Sequence, residues 1–308
     1  MRVLVFGSGG VGGYFGGLLC RAGHAVTFVA RGAHLEALQR VGLRIEQAGT
    51  QLPAFGVHAV EIPPRERFDV ALLCVKTYHL EAVCAQLVAS GATFATVLSL
   101  LNGVESEEIV RDFFAASSHL SSALVAGALC NVGAERVAPG VIRQVAGGQI
   151  VIGELAGGMS PRLDGLVARF GEAGIDCRGH GDIRQAIWRK FLWNVGFNPV
   201  CAIHRCDVGG ALDVPALRQQ IVGAMGEAVA VGRALGIAVS NSDIDTLMQT
   251  TASRLRAVRP SMLQDCERGT PTEHEALSGY VVRAAAGLGM QAPINLALLR
   301  YLSPPSMT

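Results

Sequence analysis

An open parallel sheet wound on both faces, followed by an all-α domain, is the fold class that three observations predict. The chain opens on a short apolar run, Met1–Phe6, that passes without a linker into Gly7-Ser8-Gly9-Gly10-Val11-Gly12 and then into an apolar helical stretch. Apolar runs then alternate with helical stretches to about residue 180, the pattern of strands joined by crossover helices. Beyond Gly179-His180-Gly181 every stretch has helical character and no strand pattern returns. The class is therefore an α/β Rossmann-type doubly wound sheet over residues 1–181, joined at that glycine pair to a C-terminal all-α helical domain over residues 182–308.

The first element carries the most chemistry. Strand, glycine turn and helix in direct succession is the context in which G-x-G-x-x-G binds a dinucleotide. Gly7 permits the tight turn, Gly9 lets backbone approach a pyrophosphate, and Gly12 lets helix pack closely on strand. The helix-start amides then face the phosphates with the positive end of the dipole behind them. The bland alternative is a glycine-rich turn that binds nothing, in a chain with 38 glycines. The second strand, Ala25–Ala30, ends at Arg31, where an NAD site usually places Asp or Glu for the ribose 2′-hydroxyl. A guanidinium there suits a 2′-phosphate, which it can pair bidentately. The expected cofactor is NADP(H); the plain alternative is a solvated arginine after a strand.

The remaining elements follow in order. Ala33–Arg40 is a short helix, and Leu43 to Val60 alternates around Gly49 and Pro53 as a β-excursion. Phe68–Val75 and Phe94–Leu101 are strands buried on both faces. They end at Lys76-Thr77 and Asn102-Gly103, and in such sheets ligands gather at the carboxyl ends of strands. Lys76 and Asn102 are thus candidate ligand residues, or ordinary polar loop residues capping helices. A helix runs from there through Leu87 and another over Ser106–Phe114. Ser121 to Gly153 is expected as short strands broken at Gly133, Pro139-Gly140 and Gly147-Gly148, extending the sheet partly antiparallel. Pro161–Ala173 is a helix and Ile175–Arg178 a closing strand. The helical half divides into Ile183–His204, Ala211–Leu235, Ser242–Arg256, Ser261–Glu267, Glu273–Leu288 and Ile294–Leu302.

Composition narrows the partners. Half of the 308 residues are hydrophobic and 17% are charged, so a sizeable core is available. A net charge of +1 offers no basic field for nucleic acid and no polybasic stretch for a membrane surface. No apolar run reaches the roughly 18 residues that a transmembrane helix needs. The eight cysteines contain no C-x-x-C, which points to small buried hydrophobes in a reducing, cytoplasmic compartment and to no metal site.

Within the apolar segment Trp188–Val200, Lys190, Asn194 and Asn198 stand four apart, hence on one helix face in a stripe roughly 12 Å long. Burying them among Trp, Phe, Leu and Val is costly unless something hydrogen-bonds them. A small polar ligand meets that need; so does solvent exposure, or bonds to neighbouring loops, and Pro199 kinking the helix gives Asn198 a carbonyl to serve. Further on, Thr270-Pro271-Thr272-Glu273 has the form of a capping box with proline at the first helical position, which makes Glu273 a helix-cap residue as well as a candidate functional one.

Gly7-Ser-Gly-Gly-Val-Gly12, Cys74-Val-Lys76-Thr77, Asn102-Gly103, Lys190-x₃-Asn194-x₃-Asn198-Pro199 and Ser261-Met-Leu-Gln-Asp265 with Thr272-Glu273 together span nearly the whole chain. In these blocks the sequence resembles the ketopantoate reductases (2-dehydropantoate 2-reductases), NADPH-dependent oxidoreductases of pantothenate biosynthesis. The resemblance implies a Rossmann domain and a helical domain, with substrate in the cleft between them; an exposed apolar helix in the helical half would separately make a homodimer unsurprising. It implies that Lys190 protonates the nascent alkoxide and that Asn194, Asn198 and Ser261 hold the substrate carboxylate and hydroxyl. Glu273 would sit at the nicotinamide end and position Lys190 and the ligand. Lys76 and Asn102 would contact cofactor, Asn102 also standing near substrate, and Arg31 would take the 2′-phosphate. Ala134, before the Pro139-Gly140 turn, is the small residue placed against the cofactor. His79, Leu101, Val208 and Val258 depart from the family pattern, the first two where glutamine and histidine are common and the valines where many members have asparagine. The departures make another bulky 2-oxo acid the alternative substrate, and a non-catalytic NADP(H)-binding regulator is the alternative from a different class.

Overall fold

The computed structural model describes residues 1–47, 50–51 and 53–303; Gly49, the expected centre of the β-excursion, lies outside the described residues. Two compact units are present. The first comprises Met1–Leu101 and Glu105–Ile183, the second Asn102–Val104 and the described residues from Arg184 onward.

The first unit runs β1 (Arg2–Phe6), α1 (Gly10–Arg21), β2 (Ala25–Val29), α2 (Gly32–Arg40), β3 (Arg44–Gln47), β4 (Thr50–Gln51), β5 (His58–Val60), β6 (Arg67–Leu73), α3 (Leu80–Ser90), β7 (Thr93–Ser99), α4 (Ser106–Ala115), β8 (Leu124–Ala138), β9 (Val141–Gly153), α5 (Pro161–Glu172) and β10 (Asp176–Gly179). Among the described residues ten strands form one sheet in the order β4-β3-β9-β8-β7-β6-β1-β2-β5, with β10 on β9. Pairing is parallel from β5 through β8, and β9 turns antiparallel on β8.

The apolar runs are strands because both sheet faces are covered. Val3, Val5, Val70 and Leu72 pack on one side with Phe15 and Leu19 of α1. Leu4, Phe6, Ala71 and Leu73 pack on the other with Leu80, Val83 and Leu87 of α3 and Val110 and Phe114 of α4. Period-two alternation with two apolar faces leaves no polar positions to interrupt the run. β1 lies between β2 and β6, so strand order reverses beside it, and the crevice for a ligand opens at the carboxyl ends of β1 and β6.

One strand expectation is corrected. The stretch after Ser121 forms two long strands of 15 and 13 residues rather than short segments, turning at Pro139-Gly140. Gly133 and Gly147 lie inside the paired ladder, at or beside register shifts after Asn131 and Gly133. Glycine inside a strand marks a bulge there, not a break.

The second unit is helical: α6 (Ile183–His204, its first residue in the first unit), α7 (Val208–Asp213), α8 (Pro215–Ala234), α9 (Asn241–Arg254), α10 (Ser261–Glu267), a π-helical turn Glu275–Gly279, α11 (Tyr280–Gly287) and α12 (Pro293–Leu302). Apart from Asn194 and Asn198, helix α6 is apolar from Phe191 to Ile203, as a central helix must be. Phe191, Leu192, Val195, Phe197 and Cys201 are buried in one cluster with Ile221, Met225 and Val229 of α8, Met248 of α9 and Val281 of α11. It continues through Pro199 as one helix.

The single helix expected over Ala211–Leu235 is two. Val214 is extended at φ −97°, ψ 110°, because the Pro215 ring disfavours the helical region for the residue before it. The helix expected from Glu273 begins instead with the π-helical turn at Glu275, so Glu273 precedes it and is not the third residue of a capping box on Thr270. Its carboxylate is engaged elsewhere.

Candidate functional site

The predicted site residues fall in both units, on different kinds of scaffold. In the first unit the site is backbone. Gly7 leaves β1 at φ +93°, and a side chain there would also press within 2.7 Å of the Cys74 carbonyl oxygen, one step from the Lys76 segment. A Cβ on Gly12 would collide with the Gly7 carbonyl, so α1 rides directly on the turn that precedes it. Helix α1 starts with no side-chain cap and no acidic residue in its first turn. Its leading amides are therefore available to an anion, with the helix dipole behind them. A Cβ on Gly9 would meet nothing within 4 Å, which is the open approach that a pyrophosphate needs.

Supporting contacts surround this turn. The Ser8 hydroxyl is buried and donates to the Val29 carbonyl at 3.4 Å, joining the turn to the end of β2. Val11 packs against the core from partial burial. The backbone of Ala134 in β8 backs onto Gly10 so closely that any side chain on Gly10 would strike it. Arg31 caps α2 at φ −138°, stands exposed, and donates through Nη2 to Oε1 of Gln86 in α3 at 3.0 Å. Lys76 follows β6, half-buried, at the start of the short turn Thr77–His79.

In the second unit the site is a ladder of side chains. Oδ1 of Asn198, whose residue is 2% exposed, accepts from the Met262 amide at 3.1 Å and from the Ser261 hydroxyl at 3.3 Å. Nδ2 of Asn198 donates to Oδ1 of Asn194 at 3.1 Å. Nδ2 of Asn194 donates to Oδ1 of Asn102 at 3.4 Å, and Nδ2 of Asn102 donates to the Glu273 carboxylate at 3.0 Å. The Met262 end fixes the direction. A backbone amide is only a donor, so Asn198 must present Oδ1 to it, and each carboxamide after it has one orientation. All donors point toward Glu273, and bonds in series polarise one another.

Asn194, Asn198 and Glu273 are each at least nine-tenths buried. Each asparagine gives one of its two N–H groups to the ladder. Lys190 stands one helical turn before Asn194, half-buried, and its side chain makes no hydrogen bond or ion pair among the described residues. Trp188 and Phe191, on either side of it in sequence, are buried edge-to-face with Tyr280. The bland reading of Asn198 is half right: it serves neighbouring backbone, but the amide of α10 and not a carbonyl freed by Pro199.

Sequence reasoning missed two buried groups of the first unit. His34, in α2, bonds the Ser8 carbonyl and the Gly140 amide. Glu107, at the start of α4, accepts from the Ser106 hydroxyl and the Ala128 amide, and burial pushes its carboxyl up to about 7. Their partners lie up to 106 residues away, so no local pattern announces them. The cysteines behave as expected of buried hydrophobes: all eight are free, three are buried and five partly so, and burial pushes the Cys84, Cys177 and Cys201 thiols up to about 12. Among the described residues no cluster of His, Cys, Asp and Glu is placed to hold a metal ion, and no helix is long and apolar enough to cross a membrane.

Comparison with known proteins covers both units. The family "Ketopantoate reductase PanE/ApbA" matches residues 3–157, and "Ketopantoate reductase PanE/ApbA C terminal" matches residues 182–305. A 2-dehydropantoate 2-reductase of Halobacterium salinarum is 31% identical over 296 residues, covering 96% of this chain and 95% of that one. The crystal structure of a PanE/ApbA family ketopantoate reductase from Ralstonia eutropha JMP134 superposes with a TM-score of 0.87 at 29% identity, covering 98% and 97% of the two chains. D-mandelate dehydrogenase, solved with NADH and anilino(oxo)acetate, shares the fold at a TM-score of 0.86 and 20% identity, over 98% and 97% of the chains. The matched segments contain the glycine turn, the asparagine ladder and Lys190, and the chain belongs to the ketopantoate reductase family of oxidoreductases.

Proposed function

We propose that this chain is a 2-dehydropantoate 2-reductase that reduces ketopantoate to (R)-pantoate with NADPH, in the cytoplasm, as a step of pantothenate biosynthesis. The observation that carries the reading is the one-directional ladder from Ser261 to Glu273, with Lys190, whose side chain has no partner among the described residues, one turn from it. Buried carboxamides are costly unless paired, and a carboxylate ligand would take the N–H groups that the ladder leaves unspent.

In this proposal residues 1–181 form the NADP-binding domain and 182–308 the substrate and dimerisation domain, which leaves room for a homodimer. The amides of Gly7, Ser8, Gly9, Gly10, Val11 and Gly12 hold the pyrophosphate, Arg31 takes the 2′-phosphate, and Lys76, Asn102, Ala134 and Glu273 lie against the rest of the cofactor. Bound NADPH supplies the hydride. Asn194, Asn198 and Ser261 hold the carboxylate and hydroxyl of the small 2-oxo acid. Lys190 faces the oxygen on which charge develops, stabilises it, and gives it a proton from Nζ as the O–H bond forms. Glu273 fixes Asn102 by accepting its amide proton, and so sets the orientation of the whole ladder.

A second reading, reduction of a different bulky 2-oxo acid, draws on Val208 and Val258. Both stand where the family resemblance would put asparagine. Here the Val208 amide donates to the Val258 carbonyl at 3.0 Å and the Val208 side chain is fully buried. The test is loss of NADPH absorbance with a panel of 2-oxo acids at matched concentration. The proposal expects the highest kcat/KM with ketopantoate. A better substrate elsewhere in the panel moves the assignment to the second reading. NADPH binding without turnover on any of them leaves a non-catalytic NADP(H)-binding regulator.

A further inference from the structure

His34 is 4% exposed and lies on α2, three residues past Arg31. Its Nε2 is 2.8 Å from the Ser8 carbonyl oxygen, inside the glycine turn. Its Nδ1 is 3.0 Å from the Gly140 amide, in the turn between β8 and β9. A backbone amide only donates, so Nδ1 must be the bare nitrogen and Nε2 must carry the proton that goes to Ser8. One neutral tautomer satisfies both contacts. An imidazolium would set an N–H against the Gly140 N–H, donor against donor.

The two turns that it joins are otherwise tightly determined. Gly140 sits at φ +74°, and its carbonyl accepts from the Arg44 amide at 2.8 Å, so it has little room to withdraw. The hairpin also backs the glycine turn directly, through Ala134 against Gly10 and Ile142 against Gly13. Displacing the Gly140 amide therefore strains the support of the phosphate-binding backbone.

From this geometry we infer that His34 is a positioning residue for the cofactor turn, and that its neutral state is a condition for dinucleotide binding, which makes binding fail on acidification. The inference rests on the glycine turn being the pyrophosphate site. Burial first, and then the charge of Arg136 on β8, disfavour the imidazolium, while the Ser8 carbonyl opposes them. The folded chain thus holds His34 neutral below its ordinary value of 6.5. Native stability from this group is complete above pH 6.5 and is lost as pH falls below it through the lower value of the folded state.

The test is dinucleotide affinity, read by the fluorescence of bound NADPH and NADH from pH 8 to pH 5, in wild type and in His34→Gln and His34→Ala. NADH is included because the 2′-phosphate of NADPH titrates near pH 6 by itself. At pH 8 the variants should bind both dinucleotides about three- to tenfold more weakly, the value of a lost buried hydrogen bond. On acidification the wild type should lose NADH affinity while both variants stay flat. An acid limb for NADH that persists unchanged in His34→Gln overturns the inference. So does a His34 that carries its proton on Nδ1 at pH 8, read by nitrogen NMR of the imidazole. If neither dinucleotide binds at any pH, the cofactor reading of the turn fails, and hydrogen exchange decides this one: a Gly140 amide that exchanges no faster in His34→Ala overturns it.

Discussion

The glycine turn of the first unit and the asparagine ladder of the second are built on opposite principles. The turn offers backbone amides, and its shape is enforced by what glycine lacks: Gly7 and Gly12 have no room for a side chain. The ladder offers side chains from four separate segments, at Asn102, Asn194 with Asn198, Ser261 and Glu273, held by bonds in series. A backbone site tolerates substitution of its neighbours as long as the turn packs. A serial ladder has little redundancy among its carboxamides, since removing one breaks the bonds on both sides of it. Damage to the turn should therefore show in cofactor affinity, and damage to the ladder in substrate handling and rate.

The largest effect is expected at Lys190. Lys190→Ala should lower kcat by about 10²–10⁴, the range for a lost general acid, with the Kd for NADPH nearly unchanged. Lys190→Arg should restore little, because a guanidinium keeps the charge but does not release a proton. Near-normal kcat in the alanine variant removes Lys190 from the chemistry and leaves the ladder as a structural device.

Next comes a contrast between two buried carboxyls. Glu273 ends the ladder, whereas Glu107 is buried among weaker partners in the first unit. The folded Glu107 carboxyl keeps its proton to about pH 7, while the unfolded one releases it near 4.5. Wild-type stability should therefore fall as pH rises through that window, by about 3 kcal/mol in all. Glu107→Gln should remove the fall: denaturant midpoints at pH 5 should match wild type, and at pH 8 the variant should be the more stable. Equal midpoints at both pH values would show that the carboxyl ionises in the fold without cost.

Arg31→Ala should weaken NADPH by roughly 10- to 150-fold, one charge-assisted contact of about 1.5–3 kcal/mol, and leave NADH nearly untouched. Equal losses for both dinucleotides would show that Arg31 does not read the 2′-phosphate. The smallest effect belongs to Ser261, which only joins the ladder at a shared acceptor. Ser261→Ala should raise KM for the oxo acid about two- to tenfold at constant Kd for NADPH. If both ligands weaken together, the start of α10 has been disturbed instead.

The same contrast explains what the sequence made legible. The turn, its strand and its helix are contiguous, so their residues and their order are readable together. Strands β6 and β7 are readable because two covered faces leave unbroken apolar runs. The polar face of α6 follows from spacing alone. Its partners do not, since Asn102 and Glu273 stand 171 residues apart and only the fold joins them. That is also why Glu273 resembled a capping residue: the motif is local, while the amide that takes its carboxylate is not. Gly133 resembled a strand break because a bulge and a turn use the same residue. The division at Val214 was readable in principle, for Pro215 stands in the middle of the expected helix, but the apolar periodicity on both sides concealed it.

The most direct measurement of the central claim follows the hydride itself. Ketopantoate is incubated with the wild-type chain and NADPH carrying deuterium at both C4 positions of the nicotinamide ring, and the product is analysed by mass spectrometry and NMR. The expected result is (R)-pantoate with one deuterium on the carbinol carbon for each NADPH oxidised. Unchanged NADPH, or oxidation of NADPH without label in pantoate, would contradict the assignment.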